Sequence, residues 1–187
     1  MKRAVILHGY RGSPYVNWYP WLAFKLRRAG YKTWLPWLPM SVMPDGRKWT
    51  AKLLGRKGWD YNGSLVIGHS AGAVEVLNLL SNLPAGSKVK SAVLVSAFRP
   101  KPQWRALKAL ITEPLDFEQV KSKSERFVIV HSSDDPLVPV SDAQYYTDKL
   151  GGELIVLSKG GHFSILRNLR FWRFPELLGI LKDKKVL

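Results

Sequence analysis

The chain has 187 residues, which is long enough for one hydrophobic core and short for two, and its 46% apolar and 12% aromatic residues are typical of a packed globular protein. No apolar run approaches the ~20 residues of a membrane-spanning helix, and the run after Arg3 is too short for a signal peptide. The absence of cysteine excludes disulfides, thiolate metal sites and a cysteine nucleophile. We therefore expect a single domain over residues 1–187, located in the cytoplasm.

The formal net charge of +15 favours contact with anions such as nucleic acid, acidic membranes or acidic substrates. Lys and Arg occur in nearly every predicted segment instead of in one patch, so we expect most of them on solvated helix faces. The sequence predicts non-specific affinity for polyanions at low salt and no specific nucleic-acid partner. A binding protein that uses this basic surface for nucleic acid or another polyanion is the alternative to an enzyme.

Short apolar strands alternate with segments of helical periodicity along the chain. Strands are predicted at residues 3–8, 31–35, 65–67, 91–96, 127–130 and 153–157. Helices are predicted at 18–29, 47–56 and 71–80, from Ser141 with a capping box to Gln144, and from Pro175 onward. Residues 97–125 form a longer link, with a basic helical stretch near 104–111 and a second piece at 117–121, and are the candidate for a small lid.

This alternation predicts an α/β domain of three layers, with about six mostly parallel strands, helices on both faces and little or no lid. Ligands of such sheets bind beyond the carboxyl ends of the strands. The loops that follow the strands should therefore converge on the functional site.

The stretch Gly68-His69-Ser70-Ala71-Gly72 directly follows the buried strand Leu65-Val66-Ile67 and precedes an apolar helix. A serine between two glycines at a strand-to-helix turn is the pattern of a nucleophile elbow, in which strained backbone exposes the hydroxyl. An ordinary tight turn with Ser70 as the helix N-cap is the structural alternative.

A serine hydroxyl becomes a nucleophile when a base takes its proton and a third group orients that base. His162 follows the sixth strand, and Asp134 and Asp135 follow the fifth, which gives the chain order Ser, Asp, His of α/β-hydrolases. We favour Asp135, which precedes Pro136-Leu137-Val138-Pro139, over Asp134, which is expected to cap its loop or lie in solvent.

The other three histidines, His8, His69 and His131, have no metal-ligand spacing, so neither a metal nor another cofactor is expected. His69 and His131 are interpreted as structural. For the oxyanion of an acyl-transfer intermediate, we expect backbone N–H groups from Ala71, after the nucleophile, and from Tyr10, in the loop after the first strand.

The partner expected for such a site is a small-molecule ester, with short to medium acyl chains because no long lid is predicted. Large apolar residues after the second and fourth strands are candidates for an acyl pocket, with core packing as the alternative. These residues are Trp37, Met40, Met43 and Trp104. Arg11 and Arg99 are positioned to favour an anionic substrate. The oligomeric state does not follow from the sequence.

With these residues placed, the chain resembles the compact serine hydrolases of the α/β-hydrolase superfamily, and more narrowly the group that includes retinoblastoma-binding protein nine. The pieces that carry the resemblance are His8-Gly9, Leu38-Pro39, Gly68-His69-Ser70, Pro114-Leu115-Asp116-Phe117, Ser133-Asp134-Asp135-Pro136, Gly161-His162-Phe163 and Phe174-Pro175-Glu176. The resemblance implies a six-stranded parallel sheet, a cytosolic enzyme that cleaves small carboxylic esters or amides, and Ser70, Asp135 and His162 as the triad. Because the chain has no cysteine, it lacks the L-x-C-x-E retinoblastoma-contact motif.

Overall fold

The computed structural model describes residues 1–99, 104–110 and 114–187. Its strands are β1 (Lys2–Leu7), β2 (Tyr31–Trp34), β3 (Leu65–His69), β4 (Ser91–Val95), β5 (Phe127–Ser132) and β6 (Glu153–Leu157). Its helices are α1 (Tyr19–Arg28), α2 (Gly46–Leu54), α3 (Ala71–Ser81), α4 (Phe117–Ser122), α5 (Val140–Leu150) and α6 (Pro175–Asp183). Two 3₁₀ turns lie at Arg105–Leu107 and Leu169–Trp172.

The six strands form one parallel sheet in the order β2-β1-β3-β4-β5-β6. Each crossover contains a helix, as parallel neighbours require. The carboxyl ends of β1, β3 and β4 lie side by side, because Leu7 pairs with Gly68 and Gly68 pairs with Leu94. The loops that leave these strands therefore share one edge of the sheet, which we call the carboxyl edge.

Both faces of the central strands β3, β4 and β5 are buried, and successive residues of a strand point to opposite faces. On β1, Ala4 and Ile6 pack with α1 and α6, whereas Val5 and Leu7 pack with the helices of the other face. That second face carries α2, α3, α4 and α5. The arrangement is the predicted three-layer α/β domain, and α3 lies directly behind the strand that carries the elbow.

The structure corrects two details of the prediction. Helix α5 begins at Val140 after Pro139 and has no side-chain cap, so the capping box from Ser141 to Gln144 does not form. Ser141 is already inside the helix, because the extended backbone of Pro139 ends the loop one residue earlier than predicted.

In the link between β4 and α4, the described residues near 104–110 contain only a 3₁₀ turn instead of a helix, and Ile111 lies outside the described residues. The described part of the link packs on the domain. Leu110 is buried, and its carbonyl oxygen accepts a hydrogen bond from Asn78 Nδ2 at 2.7 Å.

Candidate active site

Ser70 lies on a strained turn between β3 and α3. Its φ of 55° and ψ of −120° fall in a region that costs a non-glycine residue of order 1–3 kcal/mol. A Cβ on Gly68 would collide with the backbone of Gly72, and one on Gly72 would collide with the carbonyl oxygen of Leu7. The glycines therefore allow strand and helix to approach closely. The turn is also bonded to β4, because the Ser70 N–H donates to Val95 O at 2.8 Å.

The structure brings Ser70, His162 and Asp135 together in one hydrogen-bonded chain. His162 Nε2 lies 2.9 Å from Ser70 Oγ, and His162 Nδ1 lies 2.8 Å from Asp135 Oδ2. Since a carboxylate only accepts, Nδ1 carries the proton and the Nε2 lone pair faces the serine hydroxyl. This arrangement can remove a proton from Ser70 and return it to another atom.

The carboxyl group of Asp135 is fully buried but well supplied with donors. Its Oδ1 accepts hydrogen bonds from the N–H groups of Leu137 at 2.9 Å and Val138 at 3.1 Å. Burial raises the pKa of Asp135, but the bond and charge of His162 and these two N–H groups outweigh burial and leave the pKa below its ordinary value. Asp135 is therefore held as a carboxylate behind the imidazole.

Asp134, the neighbouring acid, joins the loop after β5 to the loop that carries His162. Its Oδ1 accepts hydrogen bonds from the N–H groups of Gly160 and Gly161, both at 2.8 Å, and from the hydroxyl of Ser132. The bond from Ser132 is the largest of the effects that lower the pKa of Asp134. Its side chain is exposed, as expected, but it fixes the two residues before His162, which the sequence did not indicate.

His69 also supports the loop of His162. It is buried, its Nε2 donates to the carbonyl oxygen of His162 at 2.8 Å, and its Nδ1 accepts from the Tyr19 hydroxyl at 2.6 Å. Burial is the main cause that lowers the pKa of His69 to about 3, and the nearby His162 adds to it. A neutral His69 therefore ties the elbow to the backbone of His162.

The Tyr19 hydroxyl in turn accepts a hydrogen bond from Asn17 Nδ2 at 3.1 Å, and Asn17 Oδ1 accepts from the Ile165 N–H at 2.9 Å. Sequence reasoning missed both residues, since Tyr19 has the spacing of a core residue of α1. Asn17, a polar residue directly before the predicted helix, was the feature of the sequence that could have indicated such a network.

The loop after β1 passes directly beside Ser70. A Cβ on Gly9 would lie 3.1 Å from Ser70 Cβ, so this close approach favours glycine. The loop turns at once, because the Gly12 N–H donates to Gly9 O at 3.0 Å, and Tyr10 lies within that turn. Ala71, the other predicted oxyanion residue, is the first residue of α3, where the N–H groups of the first turn lack helical acceptors.

The remaining histidines hold loops. His8 Nδ1 donates to Gly9 O at 3.0 Å, and its Nε2 accepts from the Leu38 N–H at 3.1 Å. His131 Nε2 donates to Val138 O at 3.0 Å and lies 4.0 Å from Asp135 Oδ2. Within the described residues, no group of three or more His, Asp or Glu side chains is arranged to hold a metal ion.

In the part of the chain that the structure describes, Ser70 and His162 line two cavities. The first, which we call the Arg11 cavity, has a volume of about 330 Å³ and is lined by Arg11, Asn17, Leu166 and Arg167 among others. The second, the Trp104 cavity, has a volume of about 450 Å³ and is lined mainly by apolar side chains, including Phe98, Trp104, Leu107 and Val138. Tyr10 and Leu137 line both cavities, so a bound molecule can extend to either side of Ser70.

Of the four predicted pocket residues, the structure places only Trp104 beside Ser70. Trp37 lies in a separate depression with Trp34 and Arg56, and Met40 and Met43 are more than half exposed and line neither cavity. The reason is the direction of the loop after β2. In this loop, Leu38 is fully buried and its N–H donates a hydrogen bond to His8 Nε2. The residues around Leu38 therefore face outward.

The two predicted cationic residues also differ in position. Arg11 lines the first cavity. Arg99 forms an ion pair with the buried Asp142, with Arg99 Nε 2.7 Å from Asp142 Oδ1, and its N–H donates to the same carboxylate. Arg99 therefore fixes the start of the link after β4 and is not among the residues that line either cavity.

A six-stranded parallel sheet between helical layers, with a serine on a strained turn after the third strand, defines an α/β-hydrolase fold. A solved structure of YdeN from Bacillus subtilis superimposes with a TM-score of 0.90 over 100% of both chains, at 23% identity. Polyneuridine aldehyde esterase superimposes with a TM-score of 0.70 over 99% of both chains, at 15% identity.

The same relationships are found in sequence. The chain is 25% identical to YdeN of Bacillus subtilis, named as a hydrolase, over 96% of this chain and 94% of YdeN. It is 23% identical to the rat serine hydrolase RBBP9 over 97% of this chain and 94% of RBBP9. The model of the serine hydrolase family matches residues 4–182, and the chain belongs to this family. None of the described helices is both long and apolar enough to cross a membrane.

Proposed function

We propose that this serine hydrolase is a carboxylic ester hydrolase that cleaves small to medium acyl esters through a covalent acyl-enzyme, with Ser70, His162 and Asp135 as its catalytic triad. The observation that carries the proposal is the continuous chain of hydrogen bonds from the Ser70 hydroxyl through the imidazole to a buried carboxylate. Such a chain supplies the nucleophile, the base and the orienting group that acyl transfer needs. Its cytoplasmic location stays a prediction.

In the first half-reaction, Ser70 Oγ attacks the carbonyl carbon of the ester while His162 Nε2 takes the hydroxyl proton. The carbonyl oxygen becomes an oxyanion, for which the N–H groups of Tyr10 and Ala71 are the proposed donors. The intermediate collapses when the C–O bond to the alcohol breaks, and His162 gives its proton to the leaving oxygen. This step leaves the acyl group on Ser70.

In the second half-reaction, His162 takes a proton from water as the water attacks the acyl carbon. Collapse of the second intermediate breaks the bond to Ser70 Oγ, which recovers its proton from the imidazolium. Asp135 stabilises that imidazolium in both halves, because its lowered pKa keeps it charged at neutral pH. The carboxylic acid is then released.

The sizes of the two cavities support short to medium acyl chains. Volumes of about 330 and 450 Å³ fall at the lower end of the range of small-molecule sites. We expect turnover of p-nitrophenyl esters to rise from acetate to a maximum at a short or medium chain. A rate that increases steadily beyond about ten carbons would contradict this size limit.

The test of the proposal is hydrolysis of p-nitrophenyl butyrate by the purified chain and by Ser70→Ala. We expect Ser70→Ala to lose turnover by about 10³-fold or more, because the nucleophile is removed. Ser122→Ala, which removes an exposed serine hydroxyl on α4, is the matched control and should keep parental activity. Equal turnover by Ser70→Ala and the parent would overturn the proposal.

A further inference from the structure

Large apolar side chains are exposed on three loops of the carboxyl edge. Leu166, in the loop after β6, is 90% exposed, and the others are each more than half exposed in the loops after β1 and β2. We call this set the apolar rim, and its members are Tyr15, Trp37, Met40, Val42, Met43 and Leu166. Burying such side chains is favourable, and a patch of apolar side chains that is exposed on one edge is typical of an interaction site.

The three loops of the rim adjoin one another. The rings of Tyr15 and Trp37 have their centroids 6.1 Å apart, and the Arg11 N–H donates to Ser41 O at 2.8 Å, which joins the loops after β1 and β2. The bond from the Ile165 N–H to Asn17 joins the loops after β1 and β6. The rim is therefore a surface of neighbouring loops, and through Leu166 it reaches the mouth of the Arg11 cavity.

The loop after β2 buries one of its apolar side chains and exposes the others. Leu38, within the same loop as Trp37, Met40 and Met43, is fully buried against the core. Met40 has a positive φ of 50°, which is uncommon for a residue other than glycine and directs the chain through a tight turn closed by a bond from the Met43 N–H to Met40 O at 2.8 Å. The local backbone thus holds the methionines on the outside.

Two cations lie on the loops of the rim, and the carboxylates nearby accept hydrogen bonds from backbone N–H groups. Arg11 and Arg167 are exposed on the same loops as Tyr15 and Leu166. Asp45, at the end of the loop after β2, accepts a hydrogen bond from the Lys48 N–H at the start of α2. In the loop after β5, Asp134 is bonded to the two glycines before His162, and Asp135 is buried. These hydrogen bonds leave the carboxylates charged, so the preference of this edge for anions rests on Arg11 and Arg167 and on the net charge of +15 of the whole chain.

We propose that the apolar rim docks on an anionic lipid surface, with its cations at the headgroups and its apolar side chains at the boundary of the acyl chains. A lipid surface offers negative charge and apolar depth together, which matches this combination of side chains. Trp37 and Tyr15 suit the interface, where aromatic residues with a polar end are favoured. Docking would turn the mouth of the Arg11 cavity toward the membrane.

Nucleic acid is the other polyanion that the charge could attract. Proteins that hold single strands stack bases on aromatic rings, and those that hold duplexes mainly contact phosphates. The rim instead consists largely of Met, Val and Leu side chains, which have no planar ring for stacking. The aliphatic share of the rim is the observation that favours lipid over nucleic acid.

The test is co-sedimentation of the full chain with vesicles of phosphatidylcholine and with vesicles in which part of it is replaced by phosphatidylglycerol. We expect binding to the anionic vesicles that persists at physiological salt and is weak on phosphatidylcholine alone. Ser70→Ala should bind equally well, which keeps this test independent of the proposed esterase activity.

Rim variants separate docking from general charge attraction. The triple variant Met40→Ser, Val42→Ser, Met43→Ser should lower the partition coefficient about tenfold, because three partly exposed apolar side chains lose their burial. The control is Val156→Ser, which removes an apolar side chain that is 42% exposed on β6, at the opposite end of the sheet from β2, and it should bind as the parent does. Thermal unfolding of both variants checks that they are folded.

Charge variants complete the design. Arg167→Gln at the rim should weaken binding several-fold, whereas Lys57→Gln, an exposed cation in the loop before β3, should have a smaller effect. Vesicle binding that disappears at physiological salt, or that the triple variant and Val156→Ser reduce equally, would overturn the proposal. DNA binding at physiological salt, lost in the triple variant, with no vesicle binding by the parent, would also overturn it in favour of a nucleic-acid surface.

Discussion

His69 and His162 lie with their ring centroids only 5.2 Å apart, yet their surroundings give them different chemistry. His69 is buried between the Tyr19 hydroxyl and a backbone carbonyl, and both of its nitrogens bond to neutral groups. His162 lies between a carboxylate and a serine hydroxyl. An imidazole can carry a proton through a reaction when an anion stabilises its charged form, so of these two histidines we propose His162 as the base.

The largest effect expected from this contrast is that of His162→Ala. Without the base, Ser70 keeps its proton, and turnover of p-nitrophenyl butyrate should fall by about 10³-fold or more. Stopped assays at high enzyme concentration measure the residual rate. A His162→Ala variant that is folded by circular dichroism and still turns over within tenfold of the parent would assign the base elsewhere.

Asp135→Asn tests the carboxylate that bonds to His162 and has no counterpart among the hydrogen-bond partners of His69. The amide cannot stabilise the imidazolium and favours the wrong tautomer, so we expect kcat to fall by about 10²–10⁴-fold. Asp134→Asn is the matched control on the adjacent residue. Its carbonyl oxygen can still accept from Gly160 and Gly161, so its loss should stay within about tenfold. A larger loss for Asp134→Asn than for Asp135→Asn would reverse our assignment of the acid.

A smaller effect is expected from His69→Ala, because His69 acts through the backbone of His162. The variant leaves the His162 carbonyl without its donor and the Tyr19 O–H without its acceptor in a buried site, which costs about 1–3 kcal/mol of stability for each group. We expect kcat to fall more than KM changes, since the imidazole is displaced from Ser70. Denaturant unfolding and steady-state kinetics measure the two effects.

Tyr19→Phe removes two bonds from the same network, the one to His69 and the one from Asn17, and should cost about 1–3 kcal/mol. If His69 and Tyr19 act as a unit, the double variant should lose less stability than the sum of the single variants. Additive losses would show that the two residues stabilise the protein separately.

Glu75 on α3 provides a contrast to Asp135, because it is a buried carboxyl group whose hydrogen-bond donors are a neutral hydroxyl and a neutral amide. It accepts hydrogen bonds from the Thr50 hydroxyl at 2.7 Å and Asn78 Nδ2 at 2.9 Å, but burial is the dominant cause and raises its pKa to about 8. The folded state therefore holds a proton that the unfolded state releases above pH 4.5. Its contribution to stability is present below that pH and is lost as the pH rises toward 8.

Glu75→Gln should therefore flatten the decline of unfolding free energy between pH 5 and about 8 while leaving turnover nearly unchanged. Urea unfolding at several pH values compares the variant with the parent. A decline of the same slope in both proteins would show that Glu75 does not titrate in this range.

The sequence was sufficient for those parts of the site that local backbone rules determine. The glycines around Ser70 and the strand before it predict the elbow, and the parallel sheet brings the residues after β5 and β6 to the same edge. Loop direction was not predictable. Leu38 faces inward where its N–H donates to His8 Nε2, a contact between two loops that has no local signal in the sequence.

Hydrogen-bond networks between distant segments were also beyond the sequence. His69 was interpreted as structural, but its partners lie 50 residues before it and 93 residues after it. Tyr19 combines an apolar ring that packs in the core with a hydroxyl that the periodicity of α1 does not reveal. The hydrophobic periodicity of a helix therefore does not predict the hydrogen bonds that the polar end of a buried aromatic residue makes.

Labelling with a fluorophosphonate probe tests the central claim, that His162 activates Ser70, most directly. Mass spectrometry of the digested protein should find the probe on the peptide that contains Ser70, with labelling lost in Ser70→Ala, strongly slowed in His162→Ala and maintained at a comparable rate in Tyr19→Phe. Absence of labelling in the folded parent, or labelling of Ser70 at equal rates with and without His162, would contradict the account.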